Sequence, residues 1–140
     1  MNRPERTLNG MRHIAFKVPN LEACERFYVE LLGMAVLFRP HDDLVYLTLG
    51  NDNLSLSRQT DMTERADGGL LDHFGFVVDS REELDQWYRY LKSKDVRMLQ
   101  QPHDHRDGAR SFYCQDPAGN VVQPLYHPAL SGQRFTPSTE

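Results

Sequence analysis

The chain has 140 residues, enough for one domain or two small fused halves and for a core that needs no covalent staple. Apolar residues make up 39% and charged residues 26%, which excludes disorder over most of the length. The formal net charge is -4 with both signs interspersed, so the basic stripe of a nucleic-acid binder is missing, and no apolar run is long enough to span a membrane.

Residues 1–10 carry no apolar stretch of the kind a signal peptide needs and read as an N-terminal extension. Met11 to Val18 reads as a strand, with Ile14, Phe16 and Val18 on one face and His13, Ala15 and Lys17 on the other. Pro19-Asn20 breaks it. Leu21, Cys24, Phe27, Tyr28, Leu31 and Leu32 then recur at helical spacing, and Gly33 is placed to stop the helix. Met34 to Arg39 is a short strand, Asp42-Asp43 a turn, and Leu44 to Leu49 with Asn53 to Arg58 a hairpin around Gly50-Asn51-Asp52. Residues 11–58 therefore form a βαβββ unit.

The polar stretch 59–70, with Gly68-Gly69 near its end, reads as a linker. A second unit follows over residues 71–127. His73 to Val78 is its first strand, with Phe74, Phe76 and Val78 on the packed face. Ser80 and Glu83 have the spacing of a capping box, and Leu84, Trp87, Tyr88 and Leu91 form the apolar stripe of the helix it opens. Val96 to Gln100, Ala109 to Cys114 and Asn120 to Leu125 are the expected remaining strands. Asp116-Pro117-Ala118-Gly119 is a tight turn between the last two. Residues 128–140 have little periodicity and are expected to be extended or disordered.

The two units repeat one phrase. His13-Ile-Ala-Phe-Lys-Val is answered sixty residues later by His73-Phe-Gly-Phe-Val-Val, and Phe27, Tyr28 and Leu31 by Trp87, Tyr88 and Leu91. Each unit opens with a histidine, followed two places on by a small residue, Ala15 or Gly75, on the same face. Two imidazoles at matching places in a duplicated unit are candidates to share a cleft and hold a metal, since neutral imidazole is the commonest protein metal ligand. The helix aromatics Phe27, Tyr28, Trp87 and Tyr88 are accounted for by core packing. Cys24 lies in a helical stripe, and neither it nor Cys114 has zinc-finger or redox spacing, which with the N-terminus points to a cytoplasmic protein.

A second polar cluster is His103-Asp104-His105-Arg106-Asp107-Gly108. It reads either as a solvated loop or as a lid over the cleft, in which His105 serves as acid or base and Arg106 clamps a carboxylate. Arg110 follows as a further substrate contact, and Tyr113 as a hydrogen-bond donor to a bound substrate oxygen or a packing aromatic. His127 is read as exposed, with a spare-ligand role as the alternative.

These motifs resemble the vicinal oxygen chelate superfamily, which includes glyoxalase I, extradiol dioxygenases, methylmalonyl-CoA epimerase, and fosfomycin and bleomycin resistance proteins. The resemblance rests on the two strand-opening phrases, on Phe27-Tyr28 through Leu31-Leu32-Gly33-Met34, and on Asp116-Pro-Ala-Gly-Asn-Val-Val-Gln-Pro-Leu. It implies an α+β fold of two βαβββ modules forming a curled-sheet cup around a divalent metal, Fe(II), Mn(II), Zn or Ni. The metal in turn chelates vicinal oxygens of a small substrate. Carried over by position, His13 and His73 are ligands, and the closing glutamate of glyoxalases and dioxygenases is Gln123 here. The further glyoxalase ligand position is Ser55. Both carboxylate positions are thus neutral, and a dioxygenase-like pattern is closer than a glyoxalase one. The leading expectation is a metal-dependent dioxygenase, lyase or isomerase, and a homodimer, of paired complete cups or of modules exchanged between chains. The alternative is a metal-free small-molecule-binding protein of the bleomycin-resistance type.

Overall fold

The computed structural model describes residues 2–3, 11–61 and 71–133. Most of the N-terminal extension, most of the linker and the end of the C-terminal tail lie outside them.

The first unit runs β1 (His13–Val18), α1 (Leu21–Arg26), β2 (Ala35–His41), β3 (Leu44–Thr48) and β4 (Asn53–Arg58). Its sheet has the order β1-β4-β3-β2, with β1 parallel to β4 and the other pairs antiparallel. The second unit holds β5 (Phe74–Val77), α2 (Arg81–Ser93), β6 (His103–Asp104), β7 (Arg110–Ser111), β8 (Cys114–Gln115) and β9 (Val121–Tyr126). Its sheet runs β5-β9-β7-β6, with β8 also on β9. Both sheets are open, and in each the strand that opens the module lies at an edge.

Local chemistry explains most of these elements. The Ser80 side chain accepts from the Glu83 amide at 3.1 Å, satisfying one orphan amide of α2, and the Glu83 carboxylate accepts from the Asp79 amide just before the cap at 3.0 Å. The first helix behaves differently from its periodicity. After Arg26 it widens into a π-helical turn, Phe27–Leu31, with the Leu32 amide donating to the Phe27 carbonyl. The wider turn lets the adjacent rings of Phe27 and Tyr28 both be buried. Gly33, at φ +84°, then reverses the chain in a conformation that costs a side-chain-bearing residue energy.

The second module departs from the expected plan. Val96 to Gln100 forms no strand but touches the sheet by a single bridge from Met98 to Cys114. Ala109 to Cys114 is two short strands, because Phe112 and Tyr113 break the ladder between β7 and β8. The expected loop contains β6. Residues 128–133 are a turn rather than extended chain: the Ser131 hydroxyl donates to the Val78 carbonyl at 2.6 Å.

One hydrophobic core serves both modules. Val18, Tyr28, Val45, Leu56, Leu84, Leu91, Phe112 and Val122 are all buried in it, each such side chain contributing about 2 kcal/mol by leaving water. Phe16 and Phe74, from the packed faces of β1 and β5, meet with ring centroids 5.0 Å apart. The opposite faces of the two sheets, which carry the histidines, are left open.

Candidate metal centre

Register decides which residues share the open faces. In the first sheet His13 pairs with Asn53 and Ala15 with Ser55. In the second, Gly75 pairs with Gln123. Parallel partners project to the same side of a sheet. Ser55 and Gln123 are therefore equivalent: each stands opposite the small residue two places beyond a strand-opening histidine. Gly75 serves more than spaciousness. A Cβ there would overlap the backbone carbonyl oxygen of Gln123, so only glycine allows β5 this close to β9.

His13 and His73 line one groove of about 460 Å3, together with Arg12, Met34, Asn53, Leu71 and Phe76. Each imidazole is held by its Nδ1. His13 Nδ1 lies 2.6 Å from Oδ1 of Asn53, and His73 Nδ1 lies 2.6 Å from the carboxylate of Asp72. Both partner atoms are acceptors, so each Nδ1 donates, and in the neutral ring each Nε2 keeps its lone pair. A neighbour that fixes the tautomer in this way orients histidines for metal binding. Two imidazole nitrogens available on one groove fit a divalent transition metal. Neither Asn53 nor Asp72 was evident as a partner in the sequence. Asp72 was signalled only by adjacency, and Asn53 only by a register that the fold creates.

The other expected site residues are distributed as follows. Gln123 shares the open face with His73, and its Nε2 donates to the buried Ser111 hydroxyl at 3.0 Å. Tyr113 stands against His73, ring centroids 5.1 Å apart. His105 has its Nε2 bonded to Ser111 Oγ at 2.7 Å, so that nitrogen is engaged inside the protein. Arg110 is placed away from the groove. It ion-pairs with Asp85 of α2 at 3.1 Å and with Asp104 at 3.1 Å, on the helix side of the sheet. Arg106 is exposed. His127 is taken up by Asp107, 3.3 Å from its Nε2, and by the Ala129 amide. The segment expected as a lid is tied down, with Asp104 between Arg81 and Arg110 and the His105 amide bonded to the Ala109 carbonyl. Among the described residues, no three His, Cys, Asp or Glu side chains converge on one point.

The profile of the Glyoxalase/Bleomycin resistance protein/Dioxygenase superfamily matches residues 10–123. The chain belongs to that superfamily. Among curated proteins it is 27% identical over 124 residues to the metallothiol transferase FosB of Staphylococcus epidermidis, covering 83% of this chain and 80% of that protein. A metallothiol transferase FosB of Shouchella clausii is 25% identical over 117 residues, covering 83% of this chain and 79% of its own length. In fold it is similar to a lactoylglutathione lyase from Agrobacterium tumefaciens, with TM-score 0.73, 24% identity and coverage of 91% of this chain and 100% of the other. It also resembles a glyoxalase/dioxygenase from Nostoc punctiforme, with TM-score 0.74, 16% identity and coverage of 91% and 97%. The curled two-sheet architecture is thus that of the superfamily.

Proposed function

We propose that this superfamily member is a divalent-metal enzyme acting on a small substrate with vicinal oxygens, with His13, His73 and the amide oxygen of Gln123 as its protein ligands. The observation that carries this reading is the pair of Nδ1 contacts, which leaves two Nε2 lone pairs available on one groove. A bound Fe(II), Mn(II), Zn or Ni ion would act as Lewis acid and template for the substrate's oxygens. Asn53 and Asp72 would hold the imidazoles in register, and Tyr113, whose ring packs against His73, would orient a substrate oxygen. The curated relatives are named metallothiol transferases, which favours thiol transfer over dioxygenation as the reaction class.

A second reading rests on the neutral pair Ser55 and Gln123. With no carboxylate among the donors the site adds no negative charge to a cation, which suits a cup that binds a small molecule without metal. The partner in either reading is a small molecule. We also propose a homodimer, because the edge strand β2 is exposed along its whole length, with Leu37 59% and Phe38 60% accessible. No helix among the described residues is long and apolar enough to cross a membrane. The two buried, unpaired thiols suit the reducing cytoplasm.

Elemental analysis of protein purified without added metal, followed by titration with Mn(II), Ni(II) and Zn(II), tests the proposal. We expect saturable binding at one site per chain that is lost in His13→Ala and in His73→Ala. Equal affinity in wild type and both variants would remove the two histidines from the site.

A further inference from the structure

Ser111 is a fully buried hydroxyl between two nitrogen-bearing side chains. Its Oγ is 3.0 Å from Nε2 of Gln123 and 2.7 Å from Nε2 of His105. A hydroxyl has one proton to give and can accept at its lone pairs. The Gln123 amide nitrogen can only donate, so Ser111 accepts there. When His105 Nε2 is unprotonated, it accepts the hydroxyl proton. The chain of bonds then runs from Gln123 through Ser111 to His105.

That direction has a consequence for the site. With its nitrogen turned inward to Ser111, the Gln123 side chain turns its oxygen, Oε1, the other way. Only the oxygen of an amide has a lone pair suited to a hard cation. In the reversed chain, His105 would donate to Ser111, Ser111 would donate to Oε1, and the amide would present its NH2 to the open face. A cation is repelled by that group. The acceptor state of His105 Nε2 therefore selects which end of Gln123 faces outward.

We propose that Ser111 and His105 are positioning residues that lock the Gln123 amide with Oε1 presented on the open face beside His73. This inference rests on the metal reading above. The backbone holds each member in place. Ser111 pairs with both Leu125 and His103, and Gln123 pairs with Gly75, which brings no side chain between Gln123 and His73. His105 is fixed by its amide bonding to the Ala109 carbonyl at 2.8 Å and by its carbonyl accepting from Gly108 at 3.1 Å. A glutamate at this position would present an oxygen in either orientation. The relay matters because residue 123 is an amide, and its oxygen and nitrogen are not interchangeable.

The test is a double-mutant cycle read by calorimetric titration with Mn(II) and Ni(II). Ser111→Ala and His105→Leu should each weaken binding about tenfold in the wild-type background, the low end of what outer-shell partners contribute. In the Gln123→Glu background the same replacements should change affinity by less than about twofold, the scatter of independent sites. Equal losses in both backgrounds would mean that the replacements act through general structural damage, and would overturn the proposal. No loss in either background, with binding still abolished by His13→Ala, would overturn the positioning role while leaving the metal reading intact. Absence of any binding by wild type would overturn the metal reading itself. A readout independent of metal is the nitrogen spectrum of His105 in its neutral form. We expect the Nδ1–H tautomer with Nε2 as acceptor, and the Nε2–H tautomer would contradict the relay.

Discussion

The Tyr28 hydroxyl donates to the Asp116 carboxylate across 2.6 Å in the buried seam between the two modules. Asp116 also accepts from the amides of Ala118 and Asn120 and from the Asn120 side chain, so it closes its own turn while holding the first module's helix. Asn20 adds a second tie, its side-chain nitrogen donating to the Pro117 carbonyl at 2.9 Å. Tyr28→Phe should cost about 2 kcal/mol in urea unfolding, the value of a hydrogen bond to a charged group. Asp116→Ala should cost about 3 kcal/mol or more, since it leaves the tyrosine hydroxyl and several turn donors without a partner.

The capping box on α2 gives a smaller, local effect. Ser80→Ala removes the acceptor for the Glu83 amide and should lower stability by about 1 kcal/mol. Thermal unfolding followed by far-ultraviolet circular dichroism measures it, with Ser80→Asp expected to restore the loss.

Burial pushes the thiols of Cys24 and Cys114 up from 9.0 to about 12, with the Asp116 charge adding in the same direction. The folded thiols therefore stay protonated where the unfolded ones ionise. Well below pH 9 both states hold the thiols almost entirely protonated, and the thiols leave stability nearly unchanged. Between about 9 and 12 the unfolded state releases protons that the folded state keeps, so stability falls as pH rises. Alkylation at pH 8 should label neither cysteine in the native protein and both in urea.

Much of this architecture could be read from the chain. The sixty-residue repeat marked the two modules, and the alternation in His13 to Val18 marked the open and packed faces, because a strand with one buried face writes period two into its sequence. The site was legible only as far as side chains on those strands. Ser111 gave no signal, since a serine in a two-residue strand has no periodicity to mark it. The fragmented ladder between His103 and Gln115 was missed for the same reason. The π turn at Phe27–Leu31 was hidden because its one-residue widening leaves the apolar spacing close to that of an α-helix. The ion pair of Arg110 with Asp85 was not legible because it spans 25 residues and depends on the packing of α2 against β7.

Gly75→Ala tests the link between backbone approach and site geometry. The added methyl group meets the Gln123 carbonyl oxygen, so β5 and β9 must separate. We expect a loss of about 3 kcal/mol by denaturant unfolding, at the upper end of the cost of overpacking. Metal affinity should fall with it, because Gln123 moves with its strand. Wild-type stability in this variant would show that the two strands have slack.

The central claim is that His13 and His73 ligate one ion through their Nε2 atoms. Electron spin echo spectroscopy of protein loaded with substoichiometric Cu(II) counts coordinated imidazoles directly. The account predicts two in the wild type and one in each of His13→Ala and His73→Ala. A spectrum with no imidazole, or one left unchanged by both replacements, would contradict it.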